Sequence, residues 1–316
     1  MANSTEQYGR DVDRSFKQRV FRKLSDRRVL IGLTIGPSIL LYLLVLAFPI
    51  AWAVAASFHD INTLSPVWHF TGLGNYVSVI TDQFFHYTLY ISFLFAAGSI
   101  AIQTTVGVLF ALLLNQDFKF EKFASAVFFL PFLVPTAIVG YMLIWMLNGS
   151  WGIVNWILVD IGLISEPIRW FGRLDTALPA VIVSNSWKYI ALVTIMVYAR
   201  LQSIPNQLYE VADMMGANAW EQFRDVTAPN IRGVVLIVTL LNGLWMFFKF
   251  DIIWILTSGG PRDATRLSVI YAYQEAFEAF HLGRAAAMSV ILFLIVIVGA
   301  TIYFVYFQPE EEVRVE

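Results

Sequence analysis

Long apolar segments alternate with short polar ones along the whole chain. A helix needs roughly 20 apolar residues to cross the hydrocarbon core of a membrane, and six segments reach that length. They are residues 29–58, 87–114, 123–147, 177–201, 233–256 and 285–307. The pattern predicts an all-α, polytopic membrane protein whose six transmembrane helices occupy residues 29–307.

Composition supports this prediction and narrows the chemistry. The chain has 316 residues, of which 58% are hydrophobic and 14% charged, whereas soluble proteins are about a quarter charged. Cysteine is absent and the four histidines lack the HxxH or HExxH spacing of a metal site. No Gly-rich phosphate loop ends in Lys-Ser or Lys-Thr. We therefore expect no metal site, no cofactor bound by this chain and no ATPase site, so that any ATP is hydrolysed by another subunit.

The distribution of basic residues predicts the orientation. Six spans place both termini on one side, and that side holds 14 Lys and Arg residues when Arg200 at the edge of the fourth span is counted, against five on the other side. Because basic residues concentrate in cytoplasmic segments, both termini and the segment between spans four and five are expected to be cytoplasmic.

The segments that flank the spans have patterns of their own. Residues 1–28 carry eight basic residues against four acidic ones, which predicts a basic amphipathic segment at the inner membrane surface, with a disordered tail as the alternative. Residues 151–164 are apolar but too short to span, and we expect a helix on the outer, periplasmic surface. Residues 308–316 form a predicted cytoplasmic tail.

Prolines fall inside two of the predicted spans. Pro37 and Pro49 lie in the first, and Pro131 and Pro135 lie in the third. Breaks at membrane depth are tolerated where neighbouring helices or a cavity satisfy the freed backbone groups. The prolines therefore favour a path through the protein over a simple membrane anchor.

The soluble-looking segment between spans four and five predicts a helical hairpin over residues 205–230. Apolar side chains recur at helical spacing after Pro205, and Gly216 suits the left-handed position that closes a helix. Asn218 and Glu221 have the spacing of a capping box. We expect the second helix to end before Pro229, and we expect an apolar edge that docks into a partner's groove.

The hairpin carries a family resemblance. The sequence contains Glu210-Val-Ala212, then Gly216 after three residues, and then Val226-Thr-Ala-Pro229 after nine more. This pattern resembles the EAA motif, E-A-A-x3-G-x9-I-x-L-P, of permease subunits of bacterial ATP-binding-cassette (ABC) importers. The sequence departs from it by three mild apolar exchanges, at Val211, Val226 and Ala228.

Further segments resemble the carbohydrate branch of that family, which includes maltose-permease-like and glycerol-phosphate-permease-like subunits. These are GLGNY at 72–76, FFLP at 128–131, LQSIP at 201–205, FDIIW at 250–254 and LTSGGP at 256–261. The resemblance covers nearly the whole chain from Val29 onward.

The resemblance implies the type I importer permease fold and a set of partners. The expected partners are a second permease in a heterodimer, two ATPase subunits that bind ATP and Mg, and a periplasmic or lipid-anchored sugar-binding protein, all at the bacterial inner membrane. The motif would form the contact with the ATPase. The residues it assigns to this contact are Glu210, Ala212, Asp213, Gly216, Ala217, Trp220, Phe223 and Pro229.

Ionisable residues inside the predicted spans indicate where a cargo could bind, because each costs about 2.5–3.5 kcal/mol to insert. They are Lys188, Lys249 and Asp251. Asp251 could neutralise one of the lysines, which leaves the other in need of an anion.

The resemblance to maltose-type permeases adds Asn185, Tyr189, Trp245 and Met246 to Lys249 as residues that face the substrate. Asn185 and Tyr189 share a helix face at a spacing of four, and the same is expected of Trp245 and Lys249. Aromatic faces with a few polar groups suit a sugar. As a hypothesis, Lys188 and Lys249 form a positive pocket for an anionic sugar derivative.

Two other classes of protein are alternatives. A secondary, ion-coupled transporter would not require the hairpin, and the two halves show no inverted repeat. An intramembrane enzyme would need an acid–base pair or a metal, and Lys188, Lys249 and Asp251 do not have a spacing that compels one. A sugar-importer permease therefore remains the leading prediction.

Overall fold

The computed structural model describes residues 27–62, 67–116 and 121–307. These residues are mostly helical, with one pair of two-residue antiparallel strands, β1 (His59–Asp60) and β2 (His69–Phe70). The predictions for residues 1–26 and for the tail at 308–316 lie outside the described residues.

The first half of the chain contains seven helices in its described part. They are α1 (Arg27–Tyr42), α2 (Phe48–Ser57), α3 (Gly74–Ile80), α4 (Gln83–Leu114), α5 (Glu121–Leu133), α6 (Thr136–Met146) and α7 (Ile153–Asp160). A π-helical turn at Leu43–Ala47 joins α1 to α2 without a break. The predicted periplasmic helix corresponds to α7, although its side of the membrane stays a prediction.

The described part of the second half also contains seven helices. They are α8 (Leu174–Leu201), α9 (Asn206–Met214), α10 (Ala219–Gln222), α11 (Ala228–Phe247), α12 (Asp251–Thr257), α13 (Ser268–Phe277) and α14 (Leu282–Tyr306). A second π-helical turn, Phe223–Thr227, joins α10 to α11.

Five helical stretches in the described part of the chain are long and apolar enough to cross a membrane. They are Thr34–Ser57, Gln83–Leu114, Leu174–Leu201, Ala219–Phe247 and Leu282–Tyr306. They match predicted spans one, two, four, five and six. The third predicted span is present as two shorter helices, α5 and α6, which separate at Pro135 because proline lacks an N–H and restrains the residue before it.

Two predicted boundaries in the fifth span are wrong. The second hairpin helix does not end before Pro229, because the π-helical turn Phe223–Thr227 continues without a break into α11, whose first turn contains Pro229. The span predicted to reach residue 256 stops at Phe247, and a new helix begins at Asp251. Hydropathy could not detect this break because apolar residues flank it on both sides.

Close packing of α4 on α8 forms the centre of the bundle, and α11 packs against both. Gly107 of α4 allows the closest approach, because a Cβ atom at that position would lie 2.6 Å from Val193 Cβ and 3.2 Å from the Ile190 carbonyl oxygen. The buried residues of this contact include Ala111, Val193 and Val197.

The GLGNY segment fastens the end of the first span. Asn75 Nδ2 donates to the carbonyl oxygens of Ser57 and His59, both at 2.9 Å, and the hydroxyls of Tyr76 and Ser57 lie 2.6 Å apart. The first bond supplies an acceptor at the end of α2 with the partner that helix termini require. Asn75 therefore holds α2 against α3.

A charged cluster fixes the beginning of α4 against α13 and α14. Asp82 caps α4 through the Phe84 N–H and also accepts from the Tyr271 hydroxyl at 2.8 Å and from Arg284 Nη2 at 2.5 Å. Burial opposes ionisation of Asp82, but these hydrogen bonds and the Arg284 charge lower its pKa overall. Burial and the bond to Asp82 raise the pKa of Tyr271.

We predict that Gly107→Ala destabilises the protein, whereas Gly243→Ala does not. Both glycines lie within helices, where alanine gains about 1 kcal/mol in propensity. At Gly107 the added methyl collides with Val193, and overpacking costs about 1–3 kcal/mol. At Gly243 the nearest atom, Ile100 Cδ1, is at an ordinary 3.5 Å. Thermal unfolding in detergent measures the difference, and equal melting temperatures for the two variants would contradict the predicted close packing.

Candidate functional site

Two helix interruptions meet beside the middle of α8. One separates α5 from α6 at residues 134–135, and the other separates α11 from α12 at residues 248–250. α12 packs against α6. The contact is close at Gly140, because a Cβ atom added to Gly140 would lie 2.8 Å from the side chain of Ile255. Lys188 and Tyr189 of α8 lie between the two interruptions and contact both.

Lys188 bonds to the interruption in the third span. Its ammonium donates to the carbonyl oxygens of Pro131 and Phe132, at 3.3 and 3.1 Å, and also to that of Val134. These carbonyls lie at the C-terminal end of α5, where helical acceptors lose their intrahelical donors. A cation is favourable at that end of a helix. Lys188 is 5% exposed, so its ammonium is enclosed as well as hydrogen-bonded.

Lys249, Asp251 and Tyr189 form a second polar group at the other interruption. Lys249 Nζ lies 2.9 Å from Asp251 Oδ1 and donates to the Tyr189 hydroxyl at 2.5 Å. It also stands 4.6 Å from the centre of the Tyr189 ring, within cation–π range. Asp251 was expected to neutralise one of the two lysines, and in the structure it pairs with Lys249 and not with Lys188.

The two members of this ion pair differ in access to solvent. The side chain of Lys249 is 11% exposed and that of Asp251 is 46% exposed. Asp251 also begins α12, where a carboxylate interacts favourably with the helix dipole. The accessible part of the pair is therefore an acceptor, and the Tyr189 ring contacts the enclosed Lys249.

The other residues suggested by resemblance lie elsewhere. Asn185 and Met246 are fully buried, and Asn185 Nδ2 donates to Met246 Sδ at 2.9 Å. Trp245 is half exposed on α11. Trp245 and Lys249 do not share a helix face, because α11 ends at Phe247 between them.

Sequence reasoning missed two residues of this region. Gln103 of α4 and Asn242 of α11 are completely buried, and Gln103 Nε2 contacts Met246 Sδ at 3.5 Å. Uncharged amides inside predicted spans were the available signal, because a buried polar group in a membrane is costly and calls for a reason.

The hairpin at residues 205–230 has the local chemistry that its sequence predicts. Gly216 follows α9 with φ of +81°, and the N–H groups of Gly216 and Ala217 donate to Asp213 and Ala212 in a Schellman arrangement. Asn218 and Glu221 form the capping box at α10. Glycine at this left-handed position permits the sharp turn between the helices.

Side-chain bonds join the two arms of the hairpin. Gln222 Nε2 donates to Asp213 Oδ1 at 2.5 Å, and the hydroxyls of Tyr209 and Thr227 lie 3.0 Å apart. These bonds within the hairpin involve Asp213 and Gln222 but not Glu210, whose side chain is exposed. Two arms held in this way keep a fixed angle.

The hairpin presents an apolar edge to its surroundings. Met214, Met215 and Trp220 are 80%, 83% and 67% exposed, and Trp220 stacks on Phe223 with ring centres 5.6 Å apart. The remaining motif residues, Ala212, Ala217 and Pro229, are half-buried or exposed. An exposed cluster of methionine and aromatic side chains on a rigid turn is typical of a protein interaction site.

Comparisons with known proteins agree with this architecture. The family described as "binding-protein-dependent transport system inner membrane component" matches residues 103–309. The trehalose/maltose transport system permease protein MalF of Thermococcus litoralis is 32% identical, over 89% of this chain and 95% of the relative. The inner membrane ABC transporter permease protein YcjO of Escherichia coli is 33% identical, over 84% of this chain and 89% of the relative.

A solved structure has the same fold. It is a bacterial ABC transporter involved in the import of the acidic polysaccharide alginate, and it superposes with a TM-score of 0.78 over 92% of this chain and 98% of that chain at 20% identity. The family match covers well over half of this chain, and the two relatives align with it along most of their length. This chain belongs to the inner-membrane permease components of binding-protein-dependent ABC transport systems.

Proposed function

We propose that this permease imports a sugar, oligosaccharide or sugar derivative and forms one half of the translocation pathway. The Tyr189–Lys249–Asp251 group carries the proposal, because an aromatic face beside an accessible acceptor suits the C–H faces and hydroxyls of a sugar. The name of the T. litoralis relative, a trehalose/maltose system, supports the same class of cargo.

The charge at this group favours a neutral sugar over an anionic one. Lys249 is paired with Asp251, and Lys188 is bonded to three backbone carbonyls. An approaching anion would therefore meet the more exposed Asp251 carboxylate before either ammonium. The alternative is an anionic sugar derivative bound by Lys249 and Lys188, and uptake assays on Lys249→Ala distinguish it from a neutral cargo.

The proposed assembly contains a second permease, two ATPase subunits that bind ATP and Mg, and an external sugar-binding protein. Both termini and the hairpin would be cytoplasmic. The absence of a phosphate-binding loop from the sequence and the family's dependence on a binding protein support this arrangement. The apolar side chains of Thr34–Ser57 are largely exposed in the single chain, as expected for a helix that a neighbouring subunit or lipid covers.

The hairpin is the proposed contact with the ATPase. Its apolar edge at Met214, Met215 and Trp220 would enter a groove of that subunit, and Gly216 with the Asp213–Gln222 bond would keep the hairpin rigid. A rigid contact is required because nucleotide-driven movement in a soluble subunit reaches the membrane only through it.

Asp251→Asn is expected to weaken uptake of a neutral sugar such as trehalose or maltose. The amide oxygen of asparagine still accepts, so the expected loss is the difference between a charged and a neutral hydrogen bond, about 1 kcal/mol, or an apparent affinity about fivefold weaker. The measurement is sugar uptake by the reconstituted complex, with Asp160→Asn on α7 as the matched exposed control. Unchanged uptake in Asp251→Asn would contradict the role of the carboxylate.

Lys249→Ala tests the anionic alternative in the same assay. If the cargo is neutral, uptake of uronic acid sugars is low in the parent and does not fall further in the variant. A selective loss of uronic acid uptake in Lys249→Ala would support the anionic cargo instead.

Lys188→Met is expected to destabilise the protein by about 1–3 kcal/mol for each carbonyl left unpaired, because Lys188 satisfies the end of α5. Lys188→Arg keeps hydrogen-bond donors there and serves as the control. Thermal unfolding is measured beside uptake. A Lys188→Met protein with parental stability and no uptake would instead give Lys188 a direct contact with the cargo.

Trp220→Ala is expected to weaken binding of the ATPase by about 2 kcal/mol, or roughly 30-fold, without affecting the fold, because Trp220 is exposed. Trp156→Ala on α7 is the matched control, since Trp156 is 64% exposed. Co-purification and titration of the ATPase measure the effect. Equal retention of the ATPase by the two variants would argue against the hairpin contact.

A further inference from the structure

The short helix α7 presents an apolar face that no other described part of the chain covers. Ile153, Trp156 and Ile157 are 47%, 64% and 45% exposed, and their spacing of three and four residues places them on one side of the helix. Trp151, just before α7, is 58% exposed and enlarges the same surface. Trp151, Ile153, Trp156 and Ile157 are called the α7 face below.

Asn155, on the opposite side of α7, fastens the helix to the protein. It is 3% exposed. Its amide donates to the carbonyl oxygens of Asn148 and Ile168, at 3.1 and 2.9 Å, and accepts from the N–H groups of Ile168 and Trp170, at 3.1 and 3.0 Å. The α7 face therefore has a fixed direction.

The α7 face continues an exposed stripe of α6. Ile138, Tyr141 and Trp145 lie on successive turns of α6 and are 58%, 62% and 65% exposed. The rings of Trp145 and Trp151 meet edge to face with their centres 4.9 Å apart. Because α6 is the second part of the third predicted span, one apolar surface runs from membrane depth onto α7.

The tryptophan side chains indicate which medium covers this surface. The half-buried Trp170 donates its indole N–H to Asn155. The exposed Trp145, Trp151 and Trp156 have no such acceptor among the described residues. Each of these rings needs an apolar surrounding for its face and an acceptor for its N–H. The boundary between lipid headgroups and acyl chains supplies both, and tryptophan concentrates there.

Asp160 limits how deeply α7 can enter the membrane. It is exposed at the last position of α7, on the same side as Ile153 seven residues earlier. A carboxylate in the hydrocarbon core costs about 2.5–3.5 kcal/mol. Helices at the membrane surface bury their apolar side only about 5–10 Å, which keeps a terminal carboxylate within reach of water.

We infer that the α7 face is a lipid anchor, inserted among the phospholipid headgroups and first acyl carbons beside the end of α6. Phospholipid is the occupant because the face is continuous with the exposed stripe of a membrane helix and carries unbonded indole N–H groups. Through the contact of Trp145 with Trp151 the anchor holds the end of α6. α6 in turn packs against α12, which begins at Asp251.

Spin labels on single cysteines test the inference, because the chain has no cysteine of its own. Ile153→Cys, Ile157→Cys and Asp160→Cys place a nitroxide on α7, and Glu278→Cys is the exposed aqueous control. The sample is the full chain in lipid nanodiscs with the subunits that co-purify, and the cysteine-free parent gives the background. Power saturation compares collisions with oxygen, which concentrates in lipid, and with a water-soluble nickel chelate.

Labels at 153 and 157 are expected to prefer oxygen several-fold more than the label at 278, and to match phospholipids labelled at the first acyl carbons. The label at 160 should lie between these values. Nickel collisions at 157 equal to those at 278 would show water on the α7 face and overturn the inference. Shielding from both reagents would place protein there, and a match to mid-chain lipid labels would place α7 in the hydrocarbon core. Either result also overturns it.

Discussion

A lipid environment offers no hydrogen-bond partner to the backbone, and this constraint governs where the helices of this permease can stop. The chain interrupts two apolar segments, after Leu133 and after Phe247, and places both interruptions against α8. At the first interruption Lys188 donates hydrogen bonds to the free carbonyl oxygens, and at the second Asp251 begins a new helix. Polar side chains of this region therefore serve the backbone as well as any cargo.

Because of that constraint, the two lysines have different bonding partners. Lys188 is enclosed and bonded to carbonyl oxygens, so its charge serves the end of α5. Lys249 is paired with Asp251, whose carboxylate reaches solvent. Two residues that look alike in the sequence thus occupy different environments, and of the two lysines Lys249 is the one paired with a carboxylate that reaches solvent.

Features fixed by neighbouring residues could be predicted from the sequence. The helix end at Gly216 and the capping box of Asn218 and Glu221 depend on a few consecutive residues, and the structure confirms both. The long apolar segments predicted the spans for a similar reason, since length and hydropathy are local properties. Family membership was accessible through the spacing of Glu210, Gly216 and Pro229.

Features that depend on distant contacts could not be predicted. The break after Phe247 is stabilised by Lys249 and Asp251 together with Tyr189, 60 residues away in sequence. The carbonyl partners of Lys188 become available only because Pro135 separates α5 from α6. Pro229 was misread as a helix end because the same residue is also favourable in the first turn of the next helix.

The π-helical turn at Phe223–Thr227 has a mechanical consequence. It makes Ala219–Phe247 one uninterrupted helical stretch of 29 residues, about 40 Å long at 1.5 Å per residue. One end carries Trp220 and the other ends two residues before Lys249. The stretch is therefore a lever, and a tilt of about 5° at the hairpin would displace the far end by roughly 3–4 Å over that length, enough to break or remake the hydrogen bonds at the helix interruption.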